Sequence, residues 1–273
     1  MSSQRDFEKQ LILVAGKKIY FASDFHLGVP TQELSLAREK MVCRWLDTIK
    51  GDAEEIYLVG DLFDFWYEYT HTIPKGFTRL LGKIAELTDS GIKVHFFTGN
   101  HDLWMKDYFV TELNVSVFHE PVIREFNGKK FYIGHGDGLG PGDPGYKLLK
   151  KVFTSKLCQW LFTRLHPNLA FAIARKSSKR SRIITADSDE RFLGKENEWL
   201  YLYSKEYVQS KPMDYFIFGH RHLPLDMDIE GRARYINLGE WINYRTYAVF
   251  DGTTLKLEKF IPDAAPEPYN SIH

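Results

Sequence analysis

Residues 18–26 have the sequence Lys-Ile-Tyr-Phe-Ala-Ser-Asp-Phe-His, in which an apolar run leads directly into two polar residues, Asp24 and His26. The run is short and rich in β-branched and aromatic side chains, and this composition predicts a β-strand. Four later runs share the pattern, and a glycine and then a polar residue follow each of them. The five strands are predicted at Lys18–Ser23, Glu55–Val59, Lys93–Thr98, Lys130–Ile133 and Tyr215–Phe218.

Helical patterns lie between the early strands, at Glu33–Ile49 and at roughly 76–90. Alternating strands and helices predict an α/β layered fold. In such folds, ligands bind beyond the carboxyl ends of the strands, which is where the polar residues lie. A glycine before the polar residue lets the backbone turn sharply and come close to a bound ion. Further strands are predicted near the end of the chain, at Asp226–Ile229, Arg234–Leu238, Tyr247–Phe250 and Leu255–Lys259.

The polar residues offer carboxylate, imidazole and amide oxygen, which are the ligands that hard-to-borderline divalent metal ions take. Seven of them lie in the five motifs: Asp24, His26, Asp61, Asn100, His135, His220 and His222. Seven ligands supply two metal sites if one of them bridges the ions, and two adjacent ions with water between them can attack phosphorus. Any single motif is more typical of an ordinary loop, but five in order, each at a strand end, favour a metal centre.

The ordered motifs resemble the calcineurin-like metallophosphoesterase family, whose pattern is Asp-x-His, Gly-Asp, Gly-Asn-His-Asp, Gly-His and Gly-His-x-His. The resemblance covers residues 19–240 and implies a two-sheet α/β sandwich flanked by helices, with residues 1–273 forming a single domain. It also implies that Asp61 bridges two divalent ions. One ion would be held by Asp24, His26, Asp61 and His222, and the other by Asp61, Asn100, His135 and His220. Because none of these ligands is a thiolate, Mn²⁺ or a similar ion is expected.

The net charge of the 273-residue chain is zero, but the charges are segregated along it. Residues 147–182 contain ten Lys or Arg and no Asp or Glu. Only two cysteines are present, Cys43 and Cys158, so no disulfide framework is expected. The sequence shows no secretory signal and no apolar run of about 18 residues that could span a membrane. We therefore expect a cytoplasmic protein that binds peripherally to the inner face of the bacterial inner membrane.

A helical lid is predicted from about 140 to 210, after the Gly/Pro-rich loop Gly138–Gly145. Its helical patterns are Tyr146–Leu165, a short piece at Leu169–Ala174, and Glu190–Gln209. Basic amphipathic helices favour anionic surfaces, including membranes. The alternative is a helical layer whose aromatic side chains pack on a sheet and whose lysines are solvated. Nucleic acid is not an expected partner, because no recognised nucleic-acid module accompanies the basic segment.

A narrower resemblance rests on Asp-Phe-His-Leu-Gly at residues 24–28 and Gly-Asp-Leu-Phe-Asp-Phe-Trp at residues 60–66. Both motifs are similar to those of the UDP-2,3-diacylglucosamine hydrolases, which act in lipid A synthesis. This resemblance implies a lipid-linked sugar nucleotide substrate, cleaved to UMP and 2,3-diacylglucosamine 1-phosphate. Cations of the lid would bind the diphosphate. The candidate substrate-binding residues are Asn100, His101, Lys176, Lys179, Arg180 and Arg182.

One departure from that subfamily concerns catalysis, because its better-known members have arginine where this chain has His101. We expect His101, oriented by Asp102, to stabilise charge on the phosphate or the leaving group. An imidazole can also donate a proton near neutral pH. Two other interpretations of the motifs remain: a different phosphoesterase, such as a nucleotide phosphodiesterase or phosphoprotein phosphatase, and a non-catalytic protein-binding scaffold. The sequence leaves the oligomeric state open.

Overall fold

The computed structural model of the protein describes residues 10–140, 144–173, 191–265 and 267–269. In chain order, its strands are β1 (Lys18–Ala22), β2 (Ala53–Val59), β3 (Lys93–Phe97), β4 (Ser116–Phe118), β5 (Val122–Phe126), β6 (Lys129–Ile133), β7 (Tyr215–Phe218), β8 (Pro224–Ile229), β9 (Ala233–Leu238), β10 (Thr246–Phe250), β11 (Leu255–Lys259) and β12 (Glu267–Pro268). The helices are α1 (Gln32–Ile49), α2 (Thr78–Asp89), α3 (Tyr108–Thr111), α4 (Pro144–Thr154), α5 (Lys156–Thr163) and α6 (Trp199–Ser210). Residues 167–173 are also helical, and a 3₁₀ turn covers Lys195–Asn197.

The strands form two sheets. One has the order β12-β11-β10-β1-β2-β3-β4 and the other has the order β5-β6-β7-β9-β8. Strands β1 to β4 run parallel to one another, as do β6, β7 and β9 in the second sheet. The carboxyl ends of β1, β2 and β3 therefore lie at one edge of the first sheet, and those of β6 and β7 lie at one edge of the second.

Alternating side chains on each strand pack the two sheets against each other and against the helices. In β1, Ile19 and Phe21 point into the core between the sheets, where Phe21 stacks on Phe131 with ring centroids 6.0 Å apart. Tyr20, between them, points to the other face and packs with Trp45 of α1. This two-residue alternation is the geometry of a strand with both faces buried. Complete burial of each such aromatic side chain stabilises the fold by roughly 1.5–3 kcal/mol.

The outer face of the second sheet is covered by α6. Leu200 and Tyr201 of this helix are buried in a cluster with Phe216 and Tyr235. The layers are therefore helices, sheet, sheet and helix, which confirms the predicted two-sheet α/β fold flanked by helices. The residues predicted as strands and as the first two helices adopt those structures, with ends that shift by up to two residues.

Two helix predictions in the lid segment are wrong in their extent. The helix predicted at Tyr146–Leu165 is two helices, α4 and α5, separated by Ser155 in an extended conformation. The helix predicted from Glu190 begins only at Trp199, because Glu198 is extended. The buried Glu198 carboxylate accepts hydrogen bonds from Arg221 and Tyr235, both at 3.1 Å, and these bonds hold the segment on the second sheet.

A buried ion pair joins the two sheets away from the polar motifs. The Glu55 carboxylate accepts bonds from Arg124 at 3.1 Å and from Tyr57 at 2.6 Å, and His95 lies 3.3 Å away. Burial acts to raise the pKa of Glu55, but His95, Arg124 and Tyr57 outweigh it and lower the pKa to about 2. The carboxylate is therefore ionised in the folded protein.

No helix in the described part of the chain is long and apolar enough to cross a membrane.

Candidate metal centre

All seven predicted ligands lie just beyond the carboxyl ends of strands, and five of them have an unusual backbone conformation. Their φ angles are positive: 54° at Asp24, 45° at His26, 52° at Asp61, 69° at His220 and 55° at His222. A side chain with a Cβ rarely adopts this left-handed region. Such conformations cost about 1–3 kcal/mol each and cluster at functional sites, where the surrounding structure enforces them. The fold thus holds these side chains in place against a local energetic preference.

The first predicted ligand set converges as the sequence implied. Ligand atoms of Asp24, His26, Asp61 and His222 all lie within 4.8 Å of one another. The Nε2 atoms of His26 and His222 are 2.9 Å apart, and Nε2 of His222 lies 3.4 Å from Oδ1 of Asp24. Two imidazoles and two carboxylates that point at one small volume form a coordination shell suited to a divalent cation.

The second set meets the first at Asp61. Nε2 of His135 lies 3.3 Å from Oδ2 of Asp61 and 3.3 Å from Oδ1 of Asn100. The same amide oxygen lies 3.0 Å from Nδ1 of His220. On its far side, Nδ1 of His135 lies 2.9 Å from the carbonyl oxygen of Val59, a contact that fixes the ring with Nε2 towards the centre.

The surroundings of two carboxylate oxygens in the centre show whether these residues could hold metal ions. Oδ1 of Asp24 and Oδ2 of Asp61 are buried, and neither accepts a hydrogen bond within the described residues. The other oxygen of each group is satisfied by a backbone amide, that of His220 at 3.1 Å and that of His101 at 2.9 Å. Each of these oxygens faces an imidazole nitrogen of its own ligand set, that of His222 at 3.4 Å and that of His135 at 3.3 Å, so a cation between them would be held by both groups. The residues therefore fit a metal centre.

Close approach explains the glycines that precede the ligands. A Cβ on Gly60 would overlap the ring of His135, and one on Gly99 would overlap the carboxylate of Asp61. The ligand loops thus pack on one another through positions where only hydrogen is tolerated.

The charges of the centre show which groups need a cation. Burial lowers the pKa of His220 to about 4, with the positive charge of His135 acting in the same direction, so His220 is a neutral imidazole that can donate to a metal. Burial acts to lower the pKa of His135 as well, but Asp61 and Asp24 outweigh it and raise the pKa to about 10. A proton on His135 thus balances the carboxylates, and an ion that binds this nitrogen must displace it.

His101 and Asp102 differ from the expectation in one respect. Nδ1 of His101 lies 2.9 Å from the carbonyl oxygen and 3.5 Å from the carboxylate of Asp64. The fully buried carboxylate of Asp102 instead accepts backbone N–H bonds from Leu62 at 2.9 Å and Gly99 at 2.7 Å. The prediction that Asp102 orients His101 is therefore wrong. Asp64 performs that task, and Asp102 holds together the loops that carry Asp61 and Asn100.

The lid helices attach to the loops that follow Asp61 and Asn100. The ring of Trp104 packs on Phe153 of α4 and Phe162 of α5, with centroids 5.5 Å and 4.6 Å apart. Its Nε1 donates to the carbonyl oxygen of Phe153 at 2.6 Å. The break at Ser155 allows both helices to reach this one indole. The four substrate-binding candidates Lys176, Lys179, Arg180 and Arg182 lie outside the described residues.

Arg38 is a supporting residue that the sequence patterns did not reveal. Its buried guanidinium donates to the carbonyl oxygens of Phe25 and His26, both at 2.6 Å, and of Val29 at 2.5 Å. It thereby clamps the loop that carries the first two ligands. The sequence did contain an indication of this role. Arg38 lies one turn before Val42 on the apolar face of α1, where a charged side chain needs a specific partner.

Sequence comparison assigns these features to a family, because residues 17–224 match the calcineurin-like phosphoesterases. The chain belongs to this family. A UDP-2,3-diacylglucosamine hydrolase of Porphyromonas gingivalis is 41% identical over 254 residues, 88% of this chain and 97% of the relative. A relative of the same name from Neisseria meningitidis serogroup B is 28% identical over 253 residues, 89% of this chain and 100% of the relative. A dimetal phosphatase from Danio rerio aligns in structure with a TM-score of 0.44 and 11% identity, covering 89% of this chain and 96% of that one.

As a calcineurin-like phosphoesterase, the protein is a metal-dependent phosphohydrolase. Three of the seven candidate ligands, Asn100, His220 and His222, are partly exposed, whereas Asp24, His26, Asp61 and His135 are buried. The candidate centre therefore opens to solvent on the side of these three residues.

Proposed function

We propose that this phosphoesterase hydrolyses the diphosphate of UDP-2,3-diacylglucosamine, giving UMP and 2,3-diacylglucosamine 1-phosphate. The observation that carries the reaction type is the convergence of the candidate ligands. Asp24, His26, Asp61 and His222 have ligand atoms within 4.8 Å of one another, and His135 joins Asn100 and His220 to Asp61. The substrate is supported by the relatives that bear this name, one of them 41% identical over nearly its whole length. The ligand geometry and the relatives together support the reaction of lipid A synthesis that the two sequence motifs implied.

The two sets described above would hold the metal ions, with Asp61 shared between them, and Mn²⁺ is the proposed ion. When bound, two such ions activate water at neutral pH and neutralise charge on the phosphate. The remaining work falls to side chains of the chain itself. His101 lies at the exposed edge of the first set, with its ring 5.1 Å from that of His26. Because Asp64 holds Nδ1, the opposite nitrogen is available to the phosphate or to the departing oxygen.

An apolar pocket of about 460 Å³ next to the first ligand set suits the acyl chains. It lies between the loops that follow His26 and Asp61 on one side and the helical residues 167–173 on the other. Phe65, Ile73, Phe77 and Phe171 supply its apolar surface. Each CH₂ buried there contributes roughly 0.8 kcal/mol, so a few carbons of acyl chain decide the affinity.

Membrane association is proposed from the outer surface of the lid. Leu157, Trp160, Leu161 and Leu169 are each more than half exposed, and the guanidinium of Arg164 lies 4.8 Å above the Trp160 ring. Apolar side chains beside cations are typical of surfaces that bind anionic lipid. Replacing Trp160 and Leu161 by serine should reduce co-sedimentation with phosphatidylglycerol vesicles. Val14→Ser, at another exposed apolar position, is the control.

Product analysis tests the proposed reaction. Mn²⁺-loaded protein incubated with UDP-2,3-diacylglucosamine should release UMP and the diacylated sugar phosphate, identified by mass spectrometry. Chelation should abolish release, and added Mn²⁺ should restore it. Turnover of nucleotide phosphodiesters or phosphopeptides in preference to this substrate would replace the proposal by one of the other phosphoesterase activities. Absence of any hydrolysis would favour the scaffold interpretation.

A further inference from the structure

A second pocket, of about 420 Å³, borders the other ligand set and differs from the apolar one in chemistry. Its walls are the ends of β3 and β4, the loop that begins at His135, and one face of α4. His135 itself lines the pocket, and Thr98 precedes the Gly-Asn pair that carries Asn100. The volume lies in the range of small-molecule sites, roughly 300–1,000 Å³.

The face of α4 that closes this pocket carries three lysines. Lys147, Lys150 and Lys151 are three and four residues apart, so their side chains lie on the same side of the helix. Lys150 is bound to the carboxylate of Asp137 at 2.7 Å, which fixes the helix to the loop after His135. Lys147 donates to the carbonyl oxygen of Gly140 at 2.5 Å. An ammonium has three donors, so Lys147 has further donors for a ligand.

Uncharged and acidic polar groups also line the pocket, together with the apolar residues Phe97, Phe118, Pro121 and Leu139. The hydroxyl of Thr98 lies 3.3 Å from Nδ1 of His119, and Glu120 follows on the same loop. Cations next to hydrogen-bonding groups suit a phosphate joined to a polar organic group. They do not suit an acyl chain, which would leave the ammonium groups desolvated without a partner.

We propose that this lysine pocket binds the nucleotide half of the substrate, with Lys147 and Lys151 at its phosphate and the Thr98–His119 wall at its nucleoside. The inference rests on the proposed function, because it assigns the two halves of that substrate to the two pockets. The apolar pocket is lined by Leu27 and Gly28, which follow His26, and by Asp64 and Phe65, which follow Asp61. The lysine pocket is lined by His135. The diphosphate then lies between them, over the metal centre.

Direct binding of UMP to the full-length Mn²⁺-loaded protein tests this assignment. Lys147→Gln combined with Lys151→Gln should weaken UMP binding, measured by calorimetry at low salt, by about tenfold or more. Lys156→Gln, at an exposed lysine of the neighbouring helix α5, should leave it unchanged. Binding of octyl phosphate should change far less, because its alkyl chain places it in the apolar pocket, away from these lysines. UMP should also protect Lys147 and Lys151, but not Lys156, from acetylation in the unaltered protein.

Unchanged UMP affinity in the double variant, or an equal loss for UMP and octyl phosphate, would overturn the assignment. So would the absence of protection at both lysines. Failure of the proposed function has a different signature, since the unaltered protein would then not cleave the diacylated substrate. If UMP binding still depended on the lysines in that case, the pocket would stand as a nucleotide site of another phosphoesterase.

Discussion

Replacing Gly99 by alanine would disturb the metal centre without altering any ligand. A Cβ at this position would lie 2.7 Å from the backbone nitrogen of Asp61 and would overlap its carboxylate. Since ordinary contacts to a Cβ begin near 3.4 Å, the two loops must separate by roughly 0.7 Å. The Asp61 nitrogen is backbone, so rotation of a side chain cannot relieve the overlap. Overpacking of this kind costs about 1–3 kcal/mol.

The expected result is a larger loss of activity than of stability. A displacement of about 1 Å in a catalytic site lowers the rate by roughly 100-fold, and here the displaced group is the proposed bridge between two ions. Hydrolysis of bis(p-nitrophenyl) phosphate in Mn²⁺ should fall by at least that factor. Metal analysis after dialysis should find fewer than two ions per chain. The midpoint of thermal unfolding should fall by only a few degrees.

Gly82→Ala is the matched control for this experiment. Gly82 lies inside α2, and a Cβ there would meet no atom within 4 Å. Alanine is favoured over glycine in a helix by about 1 kcal/mol, so this variant should be slightly more stable and fully active. If Gly99→Ala bound two ions and hydrolysed the ester at the normal rate, close packing of the ligand loops would not be what positions Asp61.

Three further variants test the centre and the core. Asp61→Asn should abolish hydrolysis and empty at least one metal site in elemental analysis, because an amide cannot bridge two cations as a carboxylate does. His101→Gln should keep both ions but lower kcat by about 100-fold, and a normal kcat would remove His101 from the mechanism. Glu55→Gln should lower the free energy of unfolding at pH 7 by about 3 kcal/mol, measured with urea. Because Arg124 and His95 hold the pKa of Glu55 low in the folded state, this difference should shrink as the pH falls from about 4.5 towards 2, and a difference independent of pH would contradict the pairing.

The fold and the convergence of the candidate ligands were predictable because both rest on local patterns. A strand buried on both faces needs a continuous apolar run, and β7 and the last four residues of β2 supply one each. The loop after each strand must turn at once to present a ligand, which places a glycine there, as at Gly60 and Gly99. The order of strands along the chain then predicts that the ligand loops lie together, because parallel strands bring their carboxyl ends to the same edge of a sheet.

Contacts between distant segments were harder to predict. Asp102 is adjacent to His101 in the chain, and adjacency suggested a partnership, but the two side chains have different partners. The carboxylate turns inward to backbone amides, while Asp64, 37 residues away, meets the imidazole. The break at Ser155 has the same origin. Apolar periodicity continues through it, whereas the two helices meet at Trp104, which lies on another loop.

The lid and the metal centre are therefore coupled through single residues that serve both. Trp104 lies four residues beyond Asn100 and packs against both lid helices. Lys150 of the lid is bound to Asp137, which lies two residues beyond His135. A lid joined to the ligand loops at both points cannot shift without moving them. In the proposed function, substrate contacts made by these helices would therefore contribute to the position of the phosphorus over the ions as well as to affinity.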